Sequence, residues 1–220
     1  EQGSSAIKEA LKDYENEYKA MFERQAAKAV QPKTILPPDP KTIWMEDVGL
    51  LGLGSNFKAA SIAGDLVVQN ARVRSVGEDA GGFYPISEKD LFDCEYWSLE
   101  QAKLGKGKAP AFQGKVVMVT GGSGTIGFET ANAFASLGAQ CFLIDLNQEN
   151  LSAAIEKLGK GHFGKALDVT DPKAAKEATT SVVEAFGGLD ILVSNAGSAQ
   201  SGSMIDMTSS SVRKAFELNF

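Results

Sequence analysis

KVVMVTGGSGTIGFETANAFASLGAQCFLID, residues 115–145, decides the fold of this chain. Val116, Val117, Met118 and Val119 form an apolar, largely β-branched run, as expected of a parallel strand covered on both faces. Thr120-Gly121-Gly122-Ser123-Gly124-Thr125-Ile126-Gly127 follows at once and opens a helical pattern. Cys141 to Ile144 make a second buried strand, which Asp145 ends. Strand, glycine-rich turn, helix, strand and acid, in that order, suit a dinucleotide. Glycines let the backbone turn tightly and approach a pyrophosphate, and the helix N-terminus offers N–H groups and partial positive charge. The expected contacts in the turn are Gly121, Ser123, Gly124, Thr125, Ile126 and Gly127. An acid at Asp145, with Leu146 beside it, can accept from the adenosine ribose hydroxyls and repels a 2′-phosphate, which favours NAD over NADP. A phosphate loop of the NTPase kind needs Lys and Ser or Thr after the last glycine; here Gly127 is followed by Phe128-Glu129. A glycine-rich turn without any ligand is the bland alternative.

Composition sets the outer bounds. The 220 residues suffice for one large domain or two small ones, and 43% hydrophobic with 23% charged residues is ordinary for a globular protein. A net charge of −6, spread over both halves, argues against nucleic acid or an anionic membrane as partner. No apolar run approaches the ~20 residues of a membrane helix. No basic-then-apolar leader opens the chain, so the cytoplasm is the expected location. The two cysteines, Cys94 and Cys141, sit in no metal or redox motif. The single histidine, His162, reads as a loop residue, because zinc needs three or four protein ligands; no metal site is expected. The chain opens on Glu1 and stops at Phe220 within a helical pattern, which suggests a piece of a longer protein.

Apolar residues at helical spacing (Ile7, Leu11, Tyr14, Tyr18, Met21, Phe22) predict an amphipathic helix over 4–29. Pro32, Pro37, Pro38 and Pro40 make residues 31–40 an extended connector. Thr42–Met45 and Val48–Leu51 read as two short strands or one bent strand. Gly49, Gly52 and Gly54 have a spacing that a nucleotide loop could use, but no acid-ended strand follows, which favours a hairpin or strand–turn–helix junction. Ser55 or Asn56 can cap a helix to about Ser75 with Ala59, Ile62, Ala63, Leu66, Val67 and Ala71 inside, before a loop over Gly77–Phe83. Ser87-Glu88-Lys89-Asp90 reads as a capping box. The aromatics Phe92, Tyr96 and Trp97 read as a packing patch rather than a substrate platform. Gly105 to Pro110 is small, charged and Pro-ended, the best boundary in the chain, so the expected domains are 1–105, a linker at 106–111, and 112–220.

Beyond the boundary, strands alternate with helices. Gly138 closes the first helix, Asn147 caps a second, Phe163–Leu167 is a third strand, and Asp171-Pro172 starts a helix that stops at Gly187-Gly188. Ile191–Val193 is a fourth strand, delivering Ser194-Asn195-Ala196-Gly197. The pattern predicts an α/β fold with a Rossmann-like, doubly wound parallel sheet. Ligands of such sheets sit at the carboxyl ends of the strands, where Gly121, Asp145, Asp168 and Asn195 all fall.

These residues resemble the first half of a short-chain dehydrogenase/reductase. Thr120-Gly121-x-x-x-Thr125-Ile126-Gly127 is similar to the family's T-G-x-x-x-G-x-G, with Thr125 in place of the middle glycine and Gly124 one place earlier. Ser194-Asn195-Ala196-Gly197 is similar to its N-N-A-G, with Ser in the first place. The resemblance implies that Asp168 and Val169 contact the adenine, that Asn195, Ala196 and Gly197 line the cofactor, and that Asn219, 22 positions after Gly197 (219 − 197), is the catalytic Asn of an Asn-Ser-Tyr-Lys set. Asp47 to Gly54, the helix after it, and Ile86 through Trp97 resemble the α+β tail of a class II aldolase/adducin-type domain. Together the two halves are similar to bifunctional aldolase/short-chain dehydrogenases of the rhamnulose-1-phosphate aldolase/alcohol dehydrogenase kind. In those proteins histidines hold the aldolase zinc, and here they would lie before Glu1.

The resemblance implies an NAD-dependent oxidoreductase acting on a small alcohol or aldehyde derived from a sugar, and a homo-oligomer at full length. Its Tyr and Lys stand in Y-x-x-x-K, where the Lys charge lowers the Tyr pKa. Tyr14, Tyr18, Tyr84 and Tyr96 are followed four places on by Tyr18, Phe22, Glu88 and Glu100. The catalytic Ser, Tyr and Lys would therefore lie past Phe220, leaving these residues inactive alone and, with an open sheet edge, marginal in stability. Two other classes stay open. A non-catalytic NAD-binding domain would have no Y-x-x-x-K in the following ~60 residues. An assembly domain would make residues 1–105 self-associate.

Overall fold

The structure, a computed structural model, describes residues 2–102, 109–199, 201–203 and 205–219. It divides into two compact units, Glu1–Gly54 with Ala59–Lys108, and Ser55–Lys58 with Ala109–Phe220. The expected linker at 106–111 lies partly outside the described residues.

In the first unit, α1 (Gln2–Ala26) is the amphipathic helix, and residues 31–40 form neither helix nor strand. β1 (Thr42–Met45) and β2 (Gly49–Gly52) pair as an antiparallel hairpin. Its turn places Asp47 at φ 60° and Gly49 at φ 119°. Gly52 and Gly54 serve close packing: a Cβ on Gly52 would stand 2.3 Å from the Gly64 nitrogen, and one on Gly54 2.3 Å from the Ala60 nitrogen. Both neighbours lie in α2 (Phe57–Asp79). The spacing that resembled a nucleotide loop is thus the seat of a helix. α2 continues past Ser75 through Gly77, and the loop expected from Gly77 starts later, where Gly81 and Gly82 take φ values of 116° and 131°. Of its expected inner face only Ala63 and Val67 are buried; Ile62 and Leu66 are 50% and 63% exposed.

α3 (Glu88–Glu95) starts as the capping box requires, with the Asp90 N–H donating to Ser87 Oγ at 3.1 Å; α4 (Ser98–Gln101) is one turn. Phe92 and Tyr96 stack at 4.7 Å and, with Met21, form this unit's buried centre. Tyr18 adds its hydroxyl, 2.7 Å from that of Tyr96 and 2.9 Å from the Glu95 carboxylate that accepts from it. Burial, then those two hydrogen bonds, raise the Tyr18 pKa, so the Tyr18 phenol is uncharged at neutral pH. Trp97 does not join it and is 56% exposed.

The second unit is a parallel sheet. β3 (Val116–Thr120) leads into α5 (Thr125–Ser136), β4 (Gln140–Asp145), α6 (Gln148–Leu158), β5 (Phe163–Ala166), α7 (Pro172–Phe186), β6 (Ile191–Val193) and α8 (Ser209–Asn219). The strand order is β5-β4-β3-β6, so chain direction along the sheet reverses at β3, and a crevice opens between β3 and β6. This is the Rossmann-like α/β arrangement that the strand–helix alternation predicts. Val117, Val119, Cys141 and Leu143 pack toward α5 and α6, while Val116, Met118, Phe142 and Ile144 pack toward α7. Covering both faces is why these strands are continuous apolar runs rather than alternating ones. Caps mark the helices: Asn147 accepts from Asn150 N–H, Asp171 from Lys173 N–H, and Gly187 ends α7 in the left-handed region at φ 82°. Asp190 fixes the start of β3, accepting the Val116 N–H at 2.9 Å and pairing with Lys115 at 2.9 Å.

His162 lies in the loop before β5, as expected, and has a structural role there. It is half-buried, and its Nδ1 accepts the Cys141 N–H at 3.1 Å, a bond open only to the neutral ring; burial lowers its pKa accordingly. Among the described residues no group of three or more His, Cys, Asp or Glu is arranged to hold a metal, and no helix is long and apolar enough to cross a membrane.

The cysteines differ sharply. Cys94 is exposed, whereas Cys141 is fully covered, donates to the Ala131 carbonyl, and has its thiol pushed up to about 11 by burial. Thiolate is the reactive form. A thiol reagent at neutral pH should label Cys94 quickly and Cys141 only after unfolding, which mass spectrometry of peptides labelled with and without urea will read.

Candidate functional site

The turn after β3 is built by contacts that a side chain would break. Gly121 has φ 64°, where glycine carries no strain. Its missing Cβ would stand 2.9 Å from Asn195 Nδ2, and that of Gly127 2.1 Å from the Gly121 carbonyl oxygen. Gly124 is the N-cap of α5 and has no side chain to satisfy the first turn, so the N–H groups of Thr125, Ile126 and Gly127 keep no side-chain partner. The Gly122 N–H donates to the Ile144 carbonyl at 3.0 Å, tying the turn to the end of β4.

Asp145 stands beside that turn. Its Oδ2 accepts from Ser123 twice, from N–H at 3.0 Å and from Oγ at 2.6 Å. Its Oδ1 accepts the Leu146 N–H at 2.8 Å and the Asn147 N–H at 3.5 Å. Burial alone would raise its pKa; the Ser123 and backbone hydrogen bonds outweigh it and hold the carboxyl below the usual range. The group is therefore a fixed anion at neutral pH.

A crevice of about 460 Å³ runs across these strand ends, within the size range of ligand pockets. Gly121, Gly124, Thr125, Ile126 and Gly127 form one wall. Asp145 and Leu146 stand at the β4 end, and Asp168 and Val169 after β5. Asn195, Ala196 and Gly197 lie beyond β6. Ser123 acts on the crevice through Asp145. Asp168 is turned partly to its own loop, its Oδ1 accepting from Thr170 N–H at 2.9 Å and Thr170 Oγ1 at 2.7 Å. Those bonds lower its pKa.

Asn195 is occupied as a latch. Its Nδ2 donates to the Thr120 and Gly121 carbonyls at 2.9 and 3.2 Å. Thr120, singled out only as part of the motif, closes the same latch: its Oγ1 accepts the N–H groups of Asn195 and Ala196 at 2.9 and 3.0 Å. A hydroxyl directly before the first glycine of the turn was the signal available in the sequence. Ile144, Leu167 and Leu218 also line the crevice. No polar signal marks them; only the sheet and α8 bring them there.

Asn219 is not among the residues lining the crevice. Its Oδ1 accepts the Ser198 N–H at 3.2 Å, and its Nδ2 donates to the Ser198 and Ala215 carbonyls, both at 2.8 Å. The amide grips the segment that leaves β6. Asn219→Ala should cost about 1 kcal/mol and speed exchange of the Ser198 amide about fivefold by local opening. Hydrogen exchange read by NMR checks it, and unchanged Ser198 protection would show that the grip has no weight.

Comparison with known proteins gives two family matches in succession: residues 1–104 match the second domain of class II aldolase, and residues 115–220 match the short chain dehydrogenases. The chain is similar to an uncharacterized oxidoreductase, YuxG, of Bacillus subtilis (strain 168), with 31% identity over 209 residues, 92% of this chain and 30% of the relative. It is also similar to D-threitol dehydrogenase of Mycolicibacterium smegmatis, with 41% identity over 90 residues, 40% of this chain and 35% of the relative. A third relative is L-rhamnose 1-dehydrogenase (NAD(P)(+)) of a Sphingomonas species, with 35% identity over 111 residues, 49% of this chain and 44% of the relative. The chain thus spans between 30% and 44% of the length of these three relatives.

Proposed function

We propose that the chain, whose residues 1–104 match the second domain of class II aldolase and whose residues 115–220 match the short chain dehydrogenases, supplies the NAD-binding part of an oxidoreductase joined to an aldolase. Its substrate is a small, sugar-derived alcohol or aldehyde, and the whole protein is a cytoplasmic homo-oligomer. Bound NAD supplies or receives the hydride.

The chain's own residues hold and orient. N–H groups of Thr125, Ile126 and Gly127, with the partial positive charge of α5, meet the pyrophosphate oxygens. Gly121 and Gly127 keep the backbone within reach of them. Asp145 accepts from the adenosine ribose and rejects a 2′-phosphate by charge. Leu146, Asp168 and Val169 flank the adenine. Asn195, Ala196 and Gly197 face the far end of the crevice, and Asn219 steadies the loop after them. One observation carries the reading: a fixed carboxylate at the end of β4 stands beside an uncapped helix N-terminus, and both open onto one crevice. The names of the threitol and rhamnose dehydrogenases support a polyol or sugar as substrate. The exposed Ile62, Leu66, Val73 and Val76 of α2 support self-association.

Calorimetric titration of the 220-residue chain tests the cofactor. NAD should bind, and NADP should bind about tenfold or more weakly. Equal affinities would overturn the choice of NAD, and no binding of either would overturn the dinucleotide. No hydride turnover is expected from this chain alone, since none of its tyrosines precedes a lysine by four places. Turnover measured as absorbance at the reduced-nicotinamide band would place the acid and base elsewhere.

A further inference from the structure

The first unit holds a cavity of about 500 Å³, unrelated to the dinucleotide crevice, between the residues that follow α1 and the face of α3 and Trp97. Its charged lining is three lysines, Lys28, Lys33 and Lys89, against one acid, Asp93. Asp93 is already matched, 2.6 Å from Lys89 Nζ. Lys33 Nζ donates to the Tyr96 carbonyl at 2.8 Å, which fixes the ammonium at the cavity while leaving it two further N–H donors. Lys28 forms no salt bridge among the described residues. Glu88, at the start of α3, is already held by Arg24 at 2.7 Å and Gln25 at 2.6 Å. Two lysines without a salt bridge among the described residues therefore line one cavity, in a chain whose net charge is −6.

The rest of the lining is mixed: Gln25, Gln31 and Ser98 are polar, and the aromatics give it an apolar face. Phe92 and Tyr96, stacked and at most 3% exposed, make the floor, and the Trp97 indole stands beside them 56% exposed. A half-exposed indole and two lysines that line one cavity suit a ligand with a flat apolar body and a doubly negative head. We propose that this cavity binds a small organic phosphate, its phosphate between Lys28 and Lys33 and its body against Trp97.

Calorimetry with phenyl phosphate and with inorganic phosphate, on the full 220-residue chain, tests it. Phenyl phosphate should saturate one site, and Lys28→Gln should weaken it about tenfold, with Lys28→Arg restoring most of the affinity. The Lys28 side chain makes no hydrogen bond among the described residues, and the backbone bond of Lys28 to Gln25 survives substitution, so the variant should keep the parent's circular dichroism and melting point. Affinity should also fall as salt is raised. Trp97→Ala should weaken phenyl phosphate and leave inorganic phosphate unchanged. Absence of saturation, or an affinity indifferent to Lys28→Gln, would overturn the site. Equal binding of the two probes would overturn the organic body. NAD binding is expected to be untouched by all three variants, so failure here and failure of the dinucleotide reading are separate results.

Discussion

Gly127→Ala should lose dinucleotide binding by more than about 100-fold while the neighbouring Gly124→Ala changes it little. The two glycines sit three residues apart in one turn, yet they meet different surroundings. An added Cβ at Gly127 would lie 2.1 Å from the Gly121 oxygen, 2.9 Å from its carbonyl carbon and 2.8 Å from Asn195 Nδ2. Two of those atoms are backbone, and the third is anchored by hydrogen bonds to Thr120 and Gly121. None can withdraw without opening the latch between β3 and β6. At Gly124 the nearest atom is 3.3 Å away, and the backbone at φ −72° suits any L-residue. Helix propensity favours Ala over Gly by about 1 kcal/mol, against an overpacking cost of about 1–3 kcal/mol. With rigid backbone as the obstacle the cost lies at the upper end, so Gly127→Ala should destabilise the second unit by about 1–2 kcal/mol net. Binding suffers more, because the same displacement moves the N–H groups that would meet the pyrophosphate. Urea denaturation and NAD titration of both variants read the two effects; a Gly127→Ala chain that binds as the parent does would mean that the turn is not where the phosphates lie.

The second unit was legible in the sequence because its signals are local and agree with one another. Three apolar runs and the short strand Phe163–Ala166 alternate with helices, and Asn147, Asp171 and Gly187 stand at the helix ends that their chemistry indicates. The crevice was legible in part. Its polar and glycine residues announce themselves at strand ends, but Leu167 and Leu218 reach it only through the sheet and α8. The hydroxyl of Thr120 and the ring of His162 were undervalued for a related reason: each satisfies backbone N–H groups across a register that a single strand does not reveal. The first unit was harder. Gly49, Gly52 and Gly54 imitate a nucleotide loop in spacing, and only the structure shows why they are glycines: a positive φ in the hairpin turn at Gly49, and the close approach of α2 at Gly52 and Gly54. Gly77 misleads in the opposite sense, because a helix with continuing hydrogen bonds passes through an isolated glycine at a cost of about 1 kcal/mol.

Asp145→Asn should erase most of the preference for NAD over NADP and weaken NAD about 10- to 100-fold, the range for losing hydrogen bonds to a charged acceptor. The substitution keeps shape and removes charge, so it isolates electrostatics. It also sets an amide N–H₂ against the Ser123 N–H and Oγ or against the Leu146 N–H, donors that now meet carboxylate oxygens. A carboxylate offers about four acceptor sites. Ser123 takes two on Oδ2, and Leu146 with the longer Asn147 contact takes those on Oδ1. A ribose diol must therefore share, and the group able to yield is the Ser123 hydroxyl, which rotates freely. Ser123→Ala should then leave NAD binding equal or slightly tighter, the reverse of Asp145→Asn. The same bonds set the acid response. Because the folded-state pKa of Asp145 is depressed, its contribution to stability is complete above the usual carboxylate range and fades as pH falls through the folded value. Asp145→Asn should flatten the loss of stability on acidification below about pH 4. Cofactor titrations of both variants, and melting temperatures of parent and Asp145→Asn across pH 3 to 7, decide between a carboxylate that reads the ribose and one that only braces the turn. A turn brace alone would give the acid response with an unchanged NAD/NADP ratio.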